Sequence, residues 1–155
     1  MPEWVFRAPG LVIDGARQWL AATRDWEVGE YGLVEVKSYA KWITTLPFNG
    51  VFRDQVLTQM FVWNSASGKR RRWTLFLQLK LSAAQSAFAP FNIEKVLQWY
   101  RSGVLRARFH FVTLDETPES KKELDAFIEQ LGLGPDEYTR KDYSSADFLK
   151  DQVQK

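Results

Sequence analysis

Hydrophobic positions recur along this chain with two different periods, and the changes between them mark out the elements. Residues 73–81, WTLFLQLKL, set Trp73, Leu75, Leu77, Leu79 and Leu81 against Thr74, Phe76, Gln78 and Lys80, which predicts a half-buried strand. Residues 104–114 alternate Arg106, Arg108 and His110 with Ala107, Phe109 and Phe111, a second strand. The run EYGLVEVKSYAKWITTL reads as a third strand region, broken near Pro47-Phe48-Asn49-Gly50. GLVID, ending at Asp14, is strand-like, and EWVFRAPG before it is a short extended piece closed by Pro9-Gly10.

Helical spacing separates these runs. In residues 16–26 the positions Ala16, Trp19, Leu20, Thr23 and Trp26 share a face, with Asp14 as a candidate N-cap. VFRDQVLTQMFVW predicts a helix with Val56, Met60 and Trp63 on one stripe and Gln55 and Gln59 on its neighbour. FNIEKVLQWYRSG predicts another, stopped at Gly103. The signals are fullest over 117–132: Thr117 as cap, Pro118 at the first position, Leu124, Phe127, Ile128 and Leu131 inward, and Gly132 at the end. The polar remainder, residues 135–155, reads as a short helix and a frayed terminus. Strands alternating with helices predict an α/β chain (α+β is the alternative), a single domain over 1–155 with a mixed sheet flanked by helices. The chain is acidic and helical from about residue 115.

Composition narrows the chemistry. With 155 residues, 45% hydrophobic and 26% charged, the chain can bury one real core. No apolar run approaches the ~20 residues of a membrane span, and no basic-then-apolar leader pattern opens the chain. There is no cysteine and one histidine, so thiolate sites and multi-imidazole zinc sites are excluded, and a metal would need oxygen ligands, which select Mg²⁺, Mn²⁺ or Ca²⁺. Charge is unevenly divided. Residues 1–114 carry 15 Lys and Arg against 8 Asp and Glu, a net +7, whereas residues 115–155 carry 6 against 11, a net −5. A basic body of that kind suits a polyanionic partner.

The candidate chemistry centres on residues 31–42, YGLVEVKSYAKW. Glu35 and Lys37 stand two apart on a strand, on one face with Leu33 and Tyr39, while Val34 and Val36 face the core. A carboxylate can hold a divalent cation, and a lysine beside it can orient a water or stabilise charge on a phosphate. Magnesium usually takes one or two protein carboxylates, so a second acid is wanted. Asp14 is the best placed, with Glu27 and Glu30 as alternatives.

Asp14-Gly15, the acid-x-Lys triplet Glu35-Val36-Lys37 on a strand, and a following helix with Gln55 and Gln59 resemble the PD-(D/E)xK nuclease superfamily. Within it the chain is most similar to the restriction-endonuclease-like toxin domains at the C-termini of bacterial secreted toxins. The resemblance covers about residues 12–63. It implies a Mg²⁺- or Mn²⁺-dependent endonuclease, cutting DNA rather than RNA, on a mixed sheet with flanking helices. Asp14 and Glu35 would be metal ligands, Lys37 the catalytic lysine, and Gln55 or Gln59 an accessory polar residue. It further implies a domain exported from a bacterium to act in a target-cell cytoplasm, and an acidic immunity protein that protects the producing cell.

Each of these residues also has a plainer reading. Glu35 and Lys37 can be an ion pair on a solvated sheet face, Asp14 a helix cap, and Gln55 and Gln59 exposed helix residues. Lys69, Arg70, Arg71 and Arg72 form either a solvated turn or a phosphate-binding cluster. Arg106, Arg108 and His110 either line a phosphate-binding surface or cover a helix, with His110 structural rather than catalytic. Aromatic residues make up 15% of the chain, with seven tryptophans, and besides an enzyme two other classes fit: a non-catalytic nucleic-acid-binding domain using these cations and exposed tryptophans, and a protein-interaction module using the aromatic excess.

Overall fold

The apolar alternation of the strands is satisfied by a sheet with helices against both faces. The computed structural model describes residues 6–7, 10–13, 21–24, 26–39, 50–67, 70–80 and 93–153. In chain order these form β1 (Phe6–Arg7), β2 (Gly10–Ile13), β3 (Ala21–Arg24), β4 (Trp26–Val28), β5 (Gly32–Tyr39), α1 (Gly50–Ser67), β6 (Trp73–Lys80), α2 (Ile93–Arg101), β7 (Arg106–Leu114), α3 (Pro118–Leu131), β8 (Tyr138–Tyr143) and α4 (Ser145–Val153). Among the described residues the main sheet has six strands in the order β1-β4-β5-β6-β7-β8, and β2 and β3 form a separate two-stranded sheet. The main sheet is mixed: β5 runs parallel to β6 and β7 to β8, while β1–β4, β4–β5 and β6–β7 are antiparallel. Each parallel pair needs a crossover, and α1 and α3 supply them. The chain is an α/β protein.

Odd positions of β6 and β7 and even positions of β5 point to one face. There Val34, Trp73, Leu75, Leu77, Leu79, Phe109 and Phe111 pack with Ile93 and Val96 of α2 and with Leu124, Phe127, Ile128 and Leu131 of α3. The predicted inward stripe of α3 is the buried one. Its start is fixed by a capping box between Thr117 and Ser120, and its end by Gly132 in the left-handed region at φ 68°. The opposite face packs Leu33, Phe76, Val112 and Leu114 against Val56, Leu57 and Met60 of α1 and Phe148 of α4.

The turn between β4 and β5 is held from α3. The Glu123 carboxylate accepts the backbone N–H groups of Glu30 (2.9 Å) and Tyr31 (3.0 Å) and the indole N–H of Trp73 (3.0 Å). Gly29 in that turn has φ +61°. At Gly32 the ring of its strand partner Trp73 occupies the space a side chain would need, 2.2 Å from where a Cβ would sit.

Four expectations change. Ala21–Arg24 is a strand rather than the end of a helix, because β2 pairs with it from Gly10 opposite Arg24 to Ile13 opposite Ala21. Pairing with an apolar strand overrides the helical spacing. Strand β6 is buried on both faces, since Thr74, Phe76 and Gln78 lie under cover as well as the leucines. Residues 138–143 are the edge strand β8 rather than part of a helix, and half of its positions (Thr139, Lys141 and Asp142) are exposed, as at a solvated edge. Gln59 is buried rather than an exposed helix residue.

Candidate functional site

The face that carries α1 divides into an apolar half and a polar half. Register places the residues in lateral rows. Leu33, Thr74, Val112 and Lys141 form one; Glu35, Phe76, His110 and Thr139 the next; Lys37, Gln78 and Arg108 the third; Tyr39, Lys80 and Arg106 the last. The strand residues of this face's apolar cluster (Leu33, Phe76, Val112 and Leu114) all come from the second row or earlier. Beyond Phe76 the face turns polar. Glu35, only 6% exposed, marks the boundary.

Lys37 Nζ lies 3.5 Å from Glu35 Oε1, with its side chain 35% exposed against 9% for that of Glu35. The strand period and the position of both residues on β5 produce this meeting. The carboxylate is thus held largely out of water beside a cation that reaches it. A solvated surface ion pair does not describe a glutamate this buried.

Beside the pair, Gln78 is 1% exposed and accepts at Oε1 from His110 Nε2, 3.0 Å away. His110 Nδ1 lies 2.7 Å from Thr139 Oγ1. With the Gln78 oxygen as acceptor, Nε2 carries the proton and Nδ1 accepts from the Thr139 hydroxyl. Burial, assisted by the Arg108 charge, pushes the His110 pKa from 6.5 down to about 4. The imidazole is therefore neutral at pH 7 and acts as a fixed hydrogen-bonding link across β6, β7 and β8, in keeping with a structural role.

The remaining candidates separate. Asp14 and Lys69 lie outside the described residues. Gln55 is half-buried and Gln59 buried on α1, the helix that packs on this face. Arg108 is half-buried and Arg106 exposed, both on the polar half of the face. Arg70 is exposed.

Arg71 corrects the reading of the 69–72 turn. It is 4% exposed, donates to the carbonyls of Gly29 (2.9 Å) and Gly32 (3.2 Å), and pairs with Glu27 at 3.2 Å. Its guanidinium also lies 5.9 Å from the Trp63 ring centroid. Asn64 of α1 brackets its backbone, donating to the Arg71 carbonyl and accepting from its N–H. Three structural acceptors hold the terminal nitrogens of Arg71, and its burial keeps it from an outside phosphate, so it is a fastener between α1 and the β4–β5 turn. Arg72, partly buried, lies 3.8 Å from Asp115. The same geometry engages Glu27 with Arg71, while Glu30 sits exposed in the turn.

Gln78, Lys80 and Thr139 join the site although no sequence motif points to them. Their types are visible in the chain, but only the β5–β6 and β7–β8 registers put them beside Glu35, Lys37 and His110.

Among the described residues no group of three acidic, histidine or cysteine side chains could hold a metal ion. Glu35 fits a hard-cation site in ligand type, and Asp14, the best-placed second acid in the sequence, lies outside the described residues. Among the described residues no helix is long and apolar enough to cross a membrane. No protein-family model matches the chain, and no curated protein or solved structure is significantly similar to it.

Proposed function

We propose that the protein is a metal-dependent endonuclease of the PD-(D/E)xK, restriction-endonuclease-like kind, cleaving DNA in preference to RNA. The observation that carries this reading is the buried Glu35 carboxylate with Lys37 Nζ at 3.5 Å, at the edge of a polar half-face. Burying a glutamate, a glutamine and a histidine where leucine or valine would pack costs stability unless every polar atom is partnered. Such a cost, concentrated where the face turns from apolar to polar, is what a working site looks like.

Glu35 and Asp14 would hold Mg²⁺ or Mn²⁺. The cation, when bound, would polarise a phosphate oxygen and make a bound water more acidic. Lys37, a point charge on a flexible stem, would orient the attacking water and balance the negative charge that grows on the phosphate. Gln78, fixed by His110, lies in register with Lys37 and would limit where that stem can go. Gln59 would be an accessory polar residue on the covering helix. The basic body would hold the phosphate backbone electrostatically. On the same resemblance the domain would be the effector of a secreted bacterial toxin, acting in the target-cell cytoplasm and countered by an acidic immunity protein.

The test is plasmid DNA incubated with the protein in Mg²⁺ or Mn²⁺, with EDTA and Lys37→Ala as controls. Cleavage that needs the metal and is lost in the variant is expected. Equal cleavage by Lys37→Ala removes the proposal, and metal-independent binding without cleavage favours a non-catalytic nucleic-acid-binding domain.

A further inference from the structure

Residues 70–72 of the 69–72 cluster and Arg106, whose partner on β6 is Lys80, lie at opposite ends of the sheet. Arg70, Arg71 and Arg72 precede Trp73 at one end of β6, and Lys80 is at the other. Seven strand steps separate Trp73 from Lys80, about 23 Å at the usual rise. Lys37 lies in the row next to Lys80, about 7 Å along the strand. Glu35, opposite Phe76, stands near the middle of the strand pair, and the Lys37 that meets it comes from the Lys80 side.

The last two rows there are unusual. Lys37, Gln78 and Arg108 make one, and Lys80 and Arg106, direct partners across β6 and β7, stand in the other. Lys80 and Arg106 are both exposed. Like charges directly opposite on neighbouring strands destabilise a sheet. Among the described residues neither makes an ion pair, and these two rows contain no carboxylate. Among the described residues of these strand rows, Lys37, Lys80, Arg106 and Arg108 stand near one carboxylate, Glu35, an excess of positive charge.

We infer that Lys80 and Arg106, backed by Arg108 and Lys37, form the track on which a nucleic-acid strand lies, delivering a phosphodiester to Glu35. This deepens the nuclease reading and rests on it only for the last step, the delivery to Glu35. Lys80 and Arg106 hold the backbone one row out from Lys37, and their mutual repulsion is relieved by the phosphate between them. The turn at 70–72 takes no part.

The experiment reads binding apart from cutting. A fluorescein-labelled DNA duplex is titrated in EDTA at several NaCl concentrations with wild type, with Lys80→Gln/Arg106→Gln, and with Arg70→Gln. The double variant is expected to bind about tenfold more weakly at low salt and to lower the magnitude of the log–log salt slope by about two, one per lost phosphate contact. Arg70→Gln keeps the wild-type slope. The melting temperature of the double variant stays level or rises by about 1–3 °C as the facing charges are removed. That excludes misfolding as the cause of weaker binding. A double variant with wild-type affinity and slope overturns the track, even if Glu35-dependent cleavage persists. Track-dependent binding without metal-dependent cleavage leaves the track standing and removes the nuclease reading instead. Failure of the wild type to bind the duplex overturns both.

Discussion

His110 Nε2 donates to the side-chain oxygen of Gln78 at 3.0 Å, so one buried ring fixes the orientation of the amide that lies beside Lys37. The link has a stability signature. The folded pKa of His110, about 4, is below its ordinary 6.5, so between those values the unfolded chain binds the extra proton. Its contribution is fully present above pH 6.5 and is lost as pH falls through 6.5 toward 4, at most about 3 kcal/mol in all. Urea unfolding of wild type and His110→Gln at pH 7, 5.5 and 4 is expected to show a steeper decline for wild type over that range. Parallel declines contradict it.

Arg71 makes a second prediction. Arg71→Ala strands the buried Glu27 carboxylate and two carbonyls, and is expected to cost about 3–5 kcal/mol. Arg71→Lys is expected to recover little, because a single ammonium cannot serve three acceptors spread around a planar fork. Thermal unfolding checks both variants. An Arg71→Ala protein as stable as wild type but impaired in DNA binding supports the phosphate-cluster reading of the turn.

Glu123 supplies a third. Its carboxylate is the shared acceptor for two turn amides and the Trp73 indole. Glu123→Ala is expected to lose about 2–3 kcal/mol, and Glu123→Gln less, since one oxygen acceptor remains. Denaturant midpoints measure the difference, and equal loss in the two variants argues that the packing of the side chain, rather than its acceptors, holds the turn.

Much of this architecture is legible in the chain. The cap, proline and terminal glycine around α3, the alternation in β6 and β7, the stop at Gly103 and the shared face of Glu35 and Lys37 all follow from local rules. Gly103 indeed has φ 81°. What the chain hides is long-range. Ala21–Arg24 becomes a strand only because β2 is there to pair with it, and β8 looks like a polar tail because an edge strand solvates half its side chains. Arg71 looks like its cationic neighbours in sequence, yet the β4–β5 turn and Asn64 take it into the interior. Gln78 reaches the site only through the parallel register of β5 and β6, which no local pattern encodes.

That Glu35 and Lys37 form a metal-dependent hydrolytic centre is tested most directly by single-turnover cleavage of a labelled DNA duplex in Mn²⁺, with the affinity of each variant measured separately in EDTA. Glu35→Gln keeps nearly the volume of the side chain and removes its charge. The expected result is a rate about a hundredfold or more below wild type with duplex binding retained. Wild-type cleavage by Glu35→Gln, or none by either protein under any divalent cation, contradicts the claim.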